Sequence, residues 1–546
     1  MKGVILMLQD QVKIIGSIFL LAILSLAPSN PLAQPAGGTL TVASDRWLNS
    51  LNPLSEEPAA IELMPLFLST LLAVNPLNAQ IEPSLAERLP QLSPDGKSFT
   101  LPLRTVRFSD GTPFTADDVL FTFNDVLFNT RVRTRTLEML REFFRVGGQP
   151  LLQRVERVDE RTVRFLLNAP LPTSFLVLLA QIPILPKHKL EKRDVTRAWG
   201  VGTRPEEIVG LGPFKVSEFA RNRVAFTRND LYGKRDAQGN PLPRLGRIVW
   251  LGEQRELPKQ FQEGKIDLFV PRAEEAQSLP APAKLILGGP QKVLISLYVN
   301  QDVTDAEKRA IFRDVRFRQA LVHATDHTAF VQKYPGGLAT PRESLLHPLS
   351  PFYDKTSLRG YPFDLAKAAA LFDQVGLKDA DGDGWRDLPN KKPFKFTFLL
   401  HRDDPVRIEV AKIYQANLAK VNLKVEVETT SVGDWRGRLG AKPPRYEMAL
   451  VGNNLEIFEY WLVLQLVGIL EETGKTEEID QILRQLPMAP DALALFARLQ
   501  KLLSEDVPVL PLYSPQYLVA VQPSVKNAEA INAYGYVRFL ELLSKE

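Results

Sequence analysis

From Leu294 onward the sequence alternates between two hydrophobic periods, and no other feature of the chain constrains its fold as strongly. Apolar residues recur at helical spacing around 314–333, 364–375, 405–421 and 490–505, and short runs with strand character lie between them at 294–300, 394–400, 423–429 and 446–451. A helix hides one stripe and a strand one or both faces, so this alternation implies helices layered on a sheet, an α/β architecture. The earlier part of the chain is richer in strands and turns. Leu40 and Val42 begin a strand, Leu51-Asn52-Pro53 ends it in a turn, and Ala60–Val74 has helical spacing through Ile61, Met64, Phe67, Leu68 and Leu71. The tight turn Ser93-Pro94-Asp95-Gly96 leads into the alternating Phe99, Leu101 and Leu103. Val155–Asp159 with Thr162–Leu167, and Leu211–Val216 with Arg223–Arg228, read as hairpins. Gly246–Leu251 reads as a further strand and Leu257–Gln262 as a short helix.

A length of 546 residues provides for two to four compact units. The formal net charge of +4 sets up no basic field, so nucleic acid is not an expected partner. Arg131, Arg133 and Arg135 read as a solvated helix face. The chain has no cysteine, which removes disulfide frameworks, thiol catalysis and a lipoprotein anchor. Residues 1–36 read as a secretory signal peptide: Lys2 and Lys13 precede the apolar run Ile14–Leu26, and cleavage is expected after Ala33 or Ala36. That run is shorter than the ~20 residues a permanent membrane span requires. An uncleaved anchor is the alternative, and the expected location is the periplasm.

Catalytic signatures are missing from the sequence, which carries no G-x-S-x-G, H-E-x-x-H, Walker A or G-x-G-x-x-G pattern. His323 and His327 share a helical face and could share a metal, but their segment supplies no third ligand, so they read as structural. Thr115 and Asp118 have capping-box spacing, and the adjacent Asp117 and Asp118 read as first-turn acids rather than as a catalytic pair. The run Asp379-Ala380-Asp381-Gly382-Asp383-Gly384-Trp385-Arg386-Asp387 matches the opening of a calcium loop, but its twelfth position is Asn390 in place of the bidentate glutamate. Asp379, Asp381, Asp383 and Asp387 therefore read as an Asp/Gly turn first and a calcium site second. No cofactor is expected.

The order of several short blocks resembles the family 5 extracellular solute-binding proteins of ABC importers, the oligopeptide, dipeptide and nickel-binding group. The blocks are Pro83-Ser84-Leu85-Ala86-Glu87, Ser93-Pro94-Asp95-Gly96-Lys97, Phe108-Ser109-Asp110-Gly111-Thr112-Pro113 and Thr115-Ala116-Asp117-Asp118-Val119. Gly210-Leu211-Gly212-Pro213-Phe214, Arg228-Asn229-Asp230-Leu231-Tyr232, Gly264-Lys265-Ile266-Asp267 and Val315-Arg316-Phe317-Arg318-Gln319-Ala320-Leu321 follow, and Glu505–Tyr513 closes the series. The resemblance implies a two-lobed periplasmic-binding-protein fold of class II with an extra subdomain in lobe one. It divides the chain into 37–75 (lobe one), 76–190 (extra subdomain), 191–295 (lobe one), 296–507 (lobe two) and 508–546 (lobe one again).

The resemblance also implies a cleft between the lobes that takes a peptide or similar small solute, and delivery of that solute by a monomer to an ABC permease of the inner membrane. It places the family's amino-terminal anchoring Asp within Gly452-Asn453-Asn454, at Asn454 or its neighbour, with Glu456 as the acid available to replace it. Asn52, Ser55 and Glu56 fall on the opposite wall, and Tyr513 and Trp435 are cleft aromatics, although Trp435 reads equally well as a packing residue. Two other readings remain at this stage. One is an exported hydrolase using cleft carboxylates, the other a peptide-holding sensor or chaperone on the same fold.

Overall fold

The computed structural model describes residues 37–546 apart from 56, 281, 456–458 and 546, and leaves undescribed the side chains of 459–461 and 464. The leader, Glu56 and Glu456 lie outside the described residues. Twelve strands form one continuous, strongly mixed sheet. Its first half holds Phe214–Ala220, Arg223–Arg228, Leu245–Leu251, Gly37–Ala43 and Leu268–Phe269 in that spatial order; its second half holds Val293–Val299, Met448–Asn454, Lys395–His401 and Lys424–Thr430. Two stretches of chain join the halves. The strand Val509–Val521 pairs through Val509–Tyr513 with Val293–Val299, and through Gln516–Val521 with Lys284–Pro290. The second connection is the passage from Lys284–Pro290 into Val293–Val299 through Gln291 and Lys292.

Strand alternation sorts the second half's core onto two faces. Ile295, Leu297 and Val299 pack with the helices Val315–His323, Leu365–Val375 and Pro405–Ala419. Leu294, Tyr298, Ala449 and Val451 face the other way, toward Val432–Leu439, Glu459–Thr473 and Ala492–Asp506. Within residues 76–190 a separate antiparallel sheet orders Gln91–Leu92, Ser98–Pro102, Thr162–Leu167 and Leu152–Asp159, with the Phe99 and Phe165 rings stacked 4.6 Å apart. Both expected hairpins form.

Two expected helices are altered, one by a long-range contact and one by a local cap. The helix read over Ala60–Val74 runs only from Pro58 to Phe67, and Leu72–Val74 is a strand. The Phe67 carbonyl is taken by the Gly212 N–H at 3.0 Å, which draws the chain out of the helix. A Cβ at Gly210 would lie 1.8 Å from that carbonyl oxygen, so the G-x-G-P turn must be glycine for the segments to meet. The helix read over 314–333 is two helices, Val315–His323 and His327–Lys333. Thr325 Oγ1 donates to the Leu321 carbonyl, and Asp326 accepts from the Ala329 N–H at 2.9 Å and so starts a new helix.

Candidate functional site at the carboxyl ends of the strands

In the second half, Lys395–His401 runs parallel to both Lys424–Thr430 and Met448–Asn454. Asn454 lies opposite Val293, and Gly452 opposite Ile295, whose other neighbour is Tyr513. The three parallel strands therefore end beside the segments that cross to the first half. In that half, Gly37–Ala43 runs parallel to Leu245–Leu251, and Leu268–Phe269 advances from Val521 to Ala520, again toward the crossing. Open α/β sheets bind ligands outside the carboxyl ends of their strands, because the chain leaves there in loops that start helices. Both halves turn that edge toward the same junction.

The loops at this edge carry a charged cluster. His401 ends its strand, and Asp404 caps the helix Pro405–Ala419 by accepting from the Arg407 N–H at 2.9 Å. The Asp404 carboxylate also pairs with Arg407 Nε at 3.0 Å, and His401 Nε2 lies 3.5 Å from Arg407 Nη1. The guanidinium then spans the end of the neighbouring strand. A Cβ on Gly452 would meet Arg407 Nη2 at 2.5 Å and Ile295 Cδ1 at 3.2 Å, so glycine is what lets the arginine lie there. Trp435, on the helix after Lys424–Thr430, sets its ring edge-on to His401 at 5.3 Å. Trp435 Nε1 and His401 Nδ1 are buried with no hydrogen-bond partner among the described residues. Tyr513 is buried against Tyr334, with ring centroids 5.9 Å apart. Burial pushes the Tyr334 hydroxyl up to about 12, with Glu274 and Asp404 adding to the rise and Arg407 opposing it. Glu274 sits on the short helix Ala273–Gln277 of the first half, which packs against Tyr334 through Ala273 and Ala276.

The expected site residues divide along these lines. Gly452 and Tyr513 lie by Arg407, and Trp435 joins it through His401. Asn453 points to the opposite face, as strand alternation requires, and its Oδ1 accepts from the Tyr298 hydroxyl at 3.1 Å. The Asn454 side chain is exposed, and its carbonyl accepts from Gln465 Nε2 at 2.8 Å. Asn52 is buried and fully engaged within the first half: Nδ2 donates to Val195 O at 2.7 Å and Ala198 O at 3.0 Å, and Oδ1 accepts from the Leu54 N–H at 2.8 Å. Ser55 Oγ is buried without a partner among the described residues.

The other motifs take structural roles. His323 bonds to Pro362 O and His327 to Pro511 O, so the two rings serve different contacts. Asp118 accepts from the Thr115 N–H at 3.0 Å and the Lys187 N–H at 3.1 Å, while Asp117 pairs with Arg157. Ligand oxygens of Asp379, Asp381 and Asp387 lie within 4.8 Å of one another. Each of the three already accepts loop N–H groups: Asp379 from Gly382 and Gly384, Asp381 from Asp383, and Asp387 from Ala380. Asp383 turns to the Trp385 N–H, and the Asn390 amide to Glu307. Sequence reasoning missed Arg407, Asp404 and His401. The available signal was Asp404-Pro405, a helix cap and first-turn proline directly after a strand.

The model of the bacterial extracellular solute-binding proteins of family 5 matches residues 80–458, well over half of the chain. The oligopeptide-binding protein AppA of Bacillus subtilis is 25% identical over 516 residues, covering 90% of this chain and 89% of its own. Its structure in complex with a nonapeptide superposes with a TM-score of 0.60 over 94% of this chain and all of that one, at 21% identity. The substrate-binding protein CtaP of Listeria monocytogenes gives a TM-score of 0.74 at 19% identity, covering 93% and 99% of the two chains. NikA of Brucella suis, in complex with Fe(III)-EDTA, gives 0.70 at 22% identity over 93% and 100%. Neighbours of this kind share the mixed, two-lobed α/β architecture described above, and with the family match over residues 80–458 they establish that the chain belongs to the family 5 bacterial extracellular solute-binding proteins.

Proposed function

We propose that the chain captures a small solute, a peptide or a similar molecule, between the two halves of its sheet and delivers it to an ABC permease of the inner membrane. The observation that carries this reading is the convergence of strand ends. Both halves present the carboxyl edge of their parallel strands to a junction crossed, among the described residues, by two stretches of chain. Two lobes so joined close on a ligand by rotating about the crossing segments. In this reading the chain divides into 37–75, 76–190, 191–295, 296–507 and 508–546, with the strand crossings themselves at Gln291–Lys292 and between Tyr513 and Gln516. Support for a peptide comes from AppA, which is described as oligopeptide-binding and was solved with a nonapeptide. NikA with its Fe(III)-EDTA widens the class to other small solutes.

In this reading Arg407, Trp435, Gly452, Asn454 and Tyr513 line the cleft, and Asn52 holds the wall behind it. The protein acts as a monomer without catalysis. It reaches the periplasm through its leader, and no helix among the described residues is long and apolar enough to cross a membrane. The test is native mass spectrometry of the protein purified from its periplasm, followed by identification of what co-purifies and calorimetry with that compound. One small solute per chain, with a smaller radius of gyration when it is bound, is the expected result. A product released in place of bound solute, or no compaction with any ligand, overturns the reading.

A further inference from the structure

Behind the strand end that carries Gly452, on the face opposite Arg407, lies a cavity of about 220 Å³ walled by Tyr298, Asn453, Leu455, Gly468, Ile469 and Glu472. Its polar groups are only partly engaged. The Tyr298 hydroxyl, deeply buried, donates to Asn453 Oδ1 at 3.1 Å, and Asn453 Nδ2 is buried with no partner among the described residues. Burial raises the Glu472 carboxyl above its ordinary range, and Glu471 adds to the rise. A buried amide N–H without an acceptor is costly, and such sites are completed by water or by a ligand. The helix Glu459–Thr473 places Gly468 at this wall, where an added Cβ would meet nothing within 4 Å. Glycine is a poor helix former, and here it leaves open the space that any larger side chain would fill.

Resting on the proposed solute-binding function, we infer that this cavity is a specificity pocket for a neutral solute group that carries a donor beside an acceptor, a carboxamide or a hydroxyl. The acceptor atom of such a group takes the free Asn453 Nδ2–H, and its N–H or O–H donates to Glu472. An ammonium leaves the Asn453 donor unpaired. A carboxylate meets Glu472 with like charge, and a hydrocarbon leaves both polar groups unsatisfied. The pocket adjoins Asn454 at the edge of the cleft, so a side chain of a solute lying along the strand end reaches it without entering the Arg407 side.

The experiment uses the full-length mature chain in two arms. In the first, crystals are soaked in acetamide, methylammonium or isobutane, which requires no knowledge of the natural solute. Acetamide bound between Asn453 and Glu472 is the expected result; methylammonium there in its place, or an empty pocket in all three soaks, overturns the inference. In the second arm, calorimetry compares the tripeptides Ala-Gln-Ala, Ala-Lys-Ala, Ala-Glu-Ala and Ala-Leu-Ala on the wild type, Gly468→Leu and Asn453→Leu. The glutamine peptide is expected to bind at least ten-fold more tightly than the others, and both variants to abolish that preference. Gly468→Leu replaces glycine by a good helix former in open space, so it tests the pocket even if Asn453→Leu fails to fold. Equal affinity for the four peptides, or a preference that survives Gly468→Leu, overturns the inference. Acetamide in the pocket with no binding of any tripeptide leaves the pocket intact and overturns the peptide reading instead.

Discussion

Replacing Asn52 by alanine separates a wall-holding role from a solute-binding one. Its amide makes three hydrogen bonds in the buried junction between the 49–57 loop and the 195–199 segment. Alanine leaves the Val195 and Ala198 carbonyls and the Leu54 N–H without that partner. A buried group stranded in this way costs about 1–3 kcal/mol, and partial relaxation keeps the sum below three full penalties, at about 3–5 kcal/mol. At about 2.1 cal/mol/K per residue, the unfolding entropy of a chain this long is roughly 1 kcal/mol/K, so the thermal midpoint falls by about 3–5 °C. Calorimetric unfolding of the wild type and Asn52→Ala measures this, and titration with the co-purified solute measures binding on the same samples. Affinity is expected to stay within about two-fold, since fewer than 0.5 kcal/mol reach the cleft. An unchanged midpoint with affinity lost ten-fold or more would refute the reasoning and return Asn52 to the ligand's side. Asn52→Asp sharpens the comparison: it keeps the acceptor for Leu54 but turns a carboxylate toward two carbonyls, and it should be the less stable variant.

Gly452→Val displaces the Arg407 guanidinium; the loss of one charge-assisted bond, about 1.5–3 kcal/mol, lowers solute affinity by roughly ten- to a hundred-fold, and an unchanged affinity in calorimetry would take Arg407 out of the site. Asn454→Asp adds an acid at the strand end, and a peptide with a free amino terminus should gain over its acetylated form; equal gains for both would remove this position from amino-terminal recognition. The Asp379–Asp387 turn is held by its own backbone N–H groups, so thermal midpoints in calcium and in chelator should agree, and a rise in calcium of several degrees that Asp381→Ala abolishes would show an occupied site. Burial, with Arg342 next and the Pro290 bond opposing, lowers the His347 imidazole to about 4. Its Nε2 pairs with Pro290 O, and its Nδ1 accepts from the Leu349 N–H, which requires the neutral ring. The folded value lies below the unfolded one of about 6.5, so this contribution, about 3 kcal/mol, is present above pH 6.5 and is lost as the pH falls toward 4. Urea midpoints at pH 7.5 and 4.5 should differ less in His347→Gln than in wild type, and an equal difference in both would exclude the ring.

What the sequence made legible was local. Strands such as Lys395–His401 and Arg223–Arg228 write their period within six or seven residues, and each formed within one residue of its expected span, while the partner read at Leu211–Val216 formed at Phe214–Ala220. The helix over Ala60–Val74 failed at Phe67 because its end is set by Gly212, some 145 residues away, and no local pattern reports that contact. The thirteen-residue strand Val509–Val521 was hidden by Pro511 and Pro515, which argue against a central strand because proline cannot donate to the ladder. Both prolines fall where the partners change: Pro511 beside the bulge at Ile295/Ser296, and Pro515 opposite Ala339, giving its carbonyl to Gln291. The site behaved in the same way. Gly452 and Tyr513 belong to blocks whose order was readable. Arg407, His401 and Trp435 meet only because three parallel strands from separate parts of the chain end at one edge.

The bonds joining the two halves are distributed unevenly, and this bears on how a cleft here can work. Around the crossing segments they are numerous and largely buried: Gln291 bonds to Pro515 and Gln516, His347 to Pro290, and Arg342 to Ser514 beside them. A second set, where no strand crosses, links the helix Thr173–Leu179 to residues 487–490. Ser174 Oγ donates to Pro487 O at 2.7 Å, the Thr173 N–H to Ala489 O at 3.2 Å, and Thr173 Oγ1 to Pro490 O at 3.2 Å. Hydrogen bonds exchanged for water are worth about 0.5–1.5 kcal/mol each, so parting this second set costs a few kcal/mol. The crossing segments carry prolines on both strands and a neutral imidazole locked against one of them. The hydrogen bonds are thus concentrated where the chain passes between the halves; on the other side the helix Thr173–Leu179 also shares a hydrophobic core with Glu459–Thr473 and Leu486–Met488, so an opening there would part apolar surface as well as these three bonds.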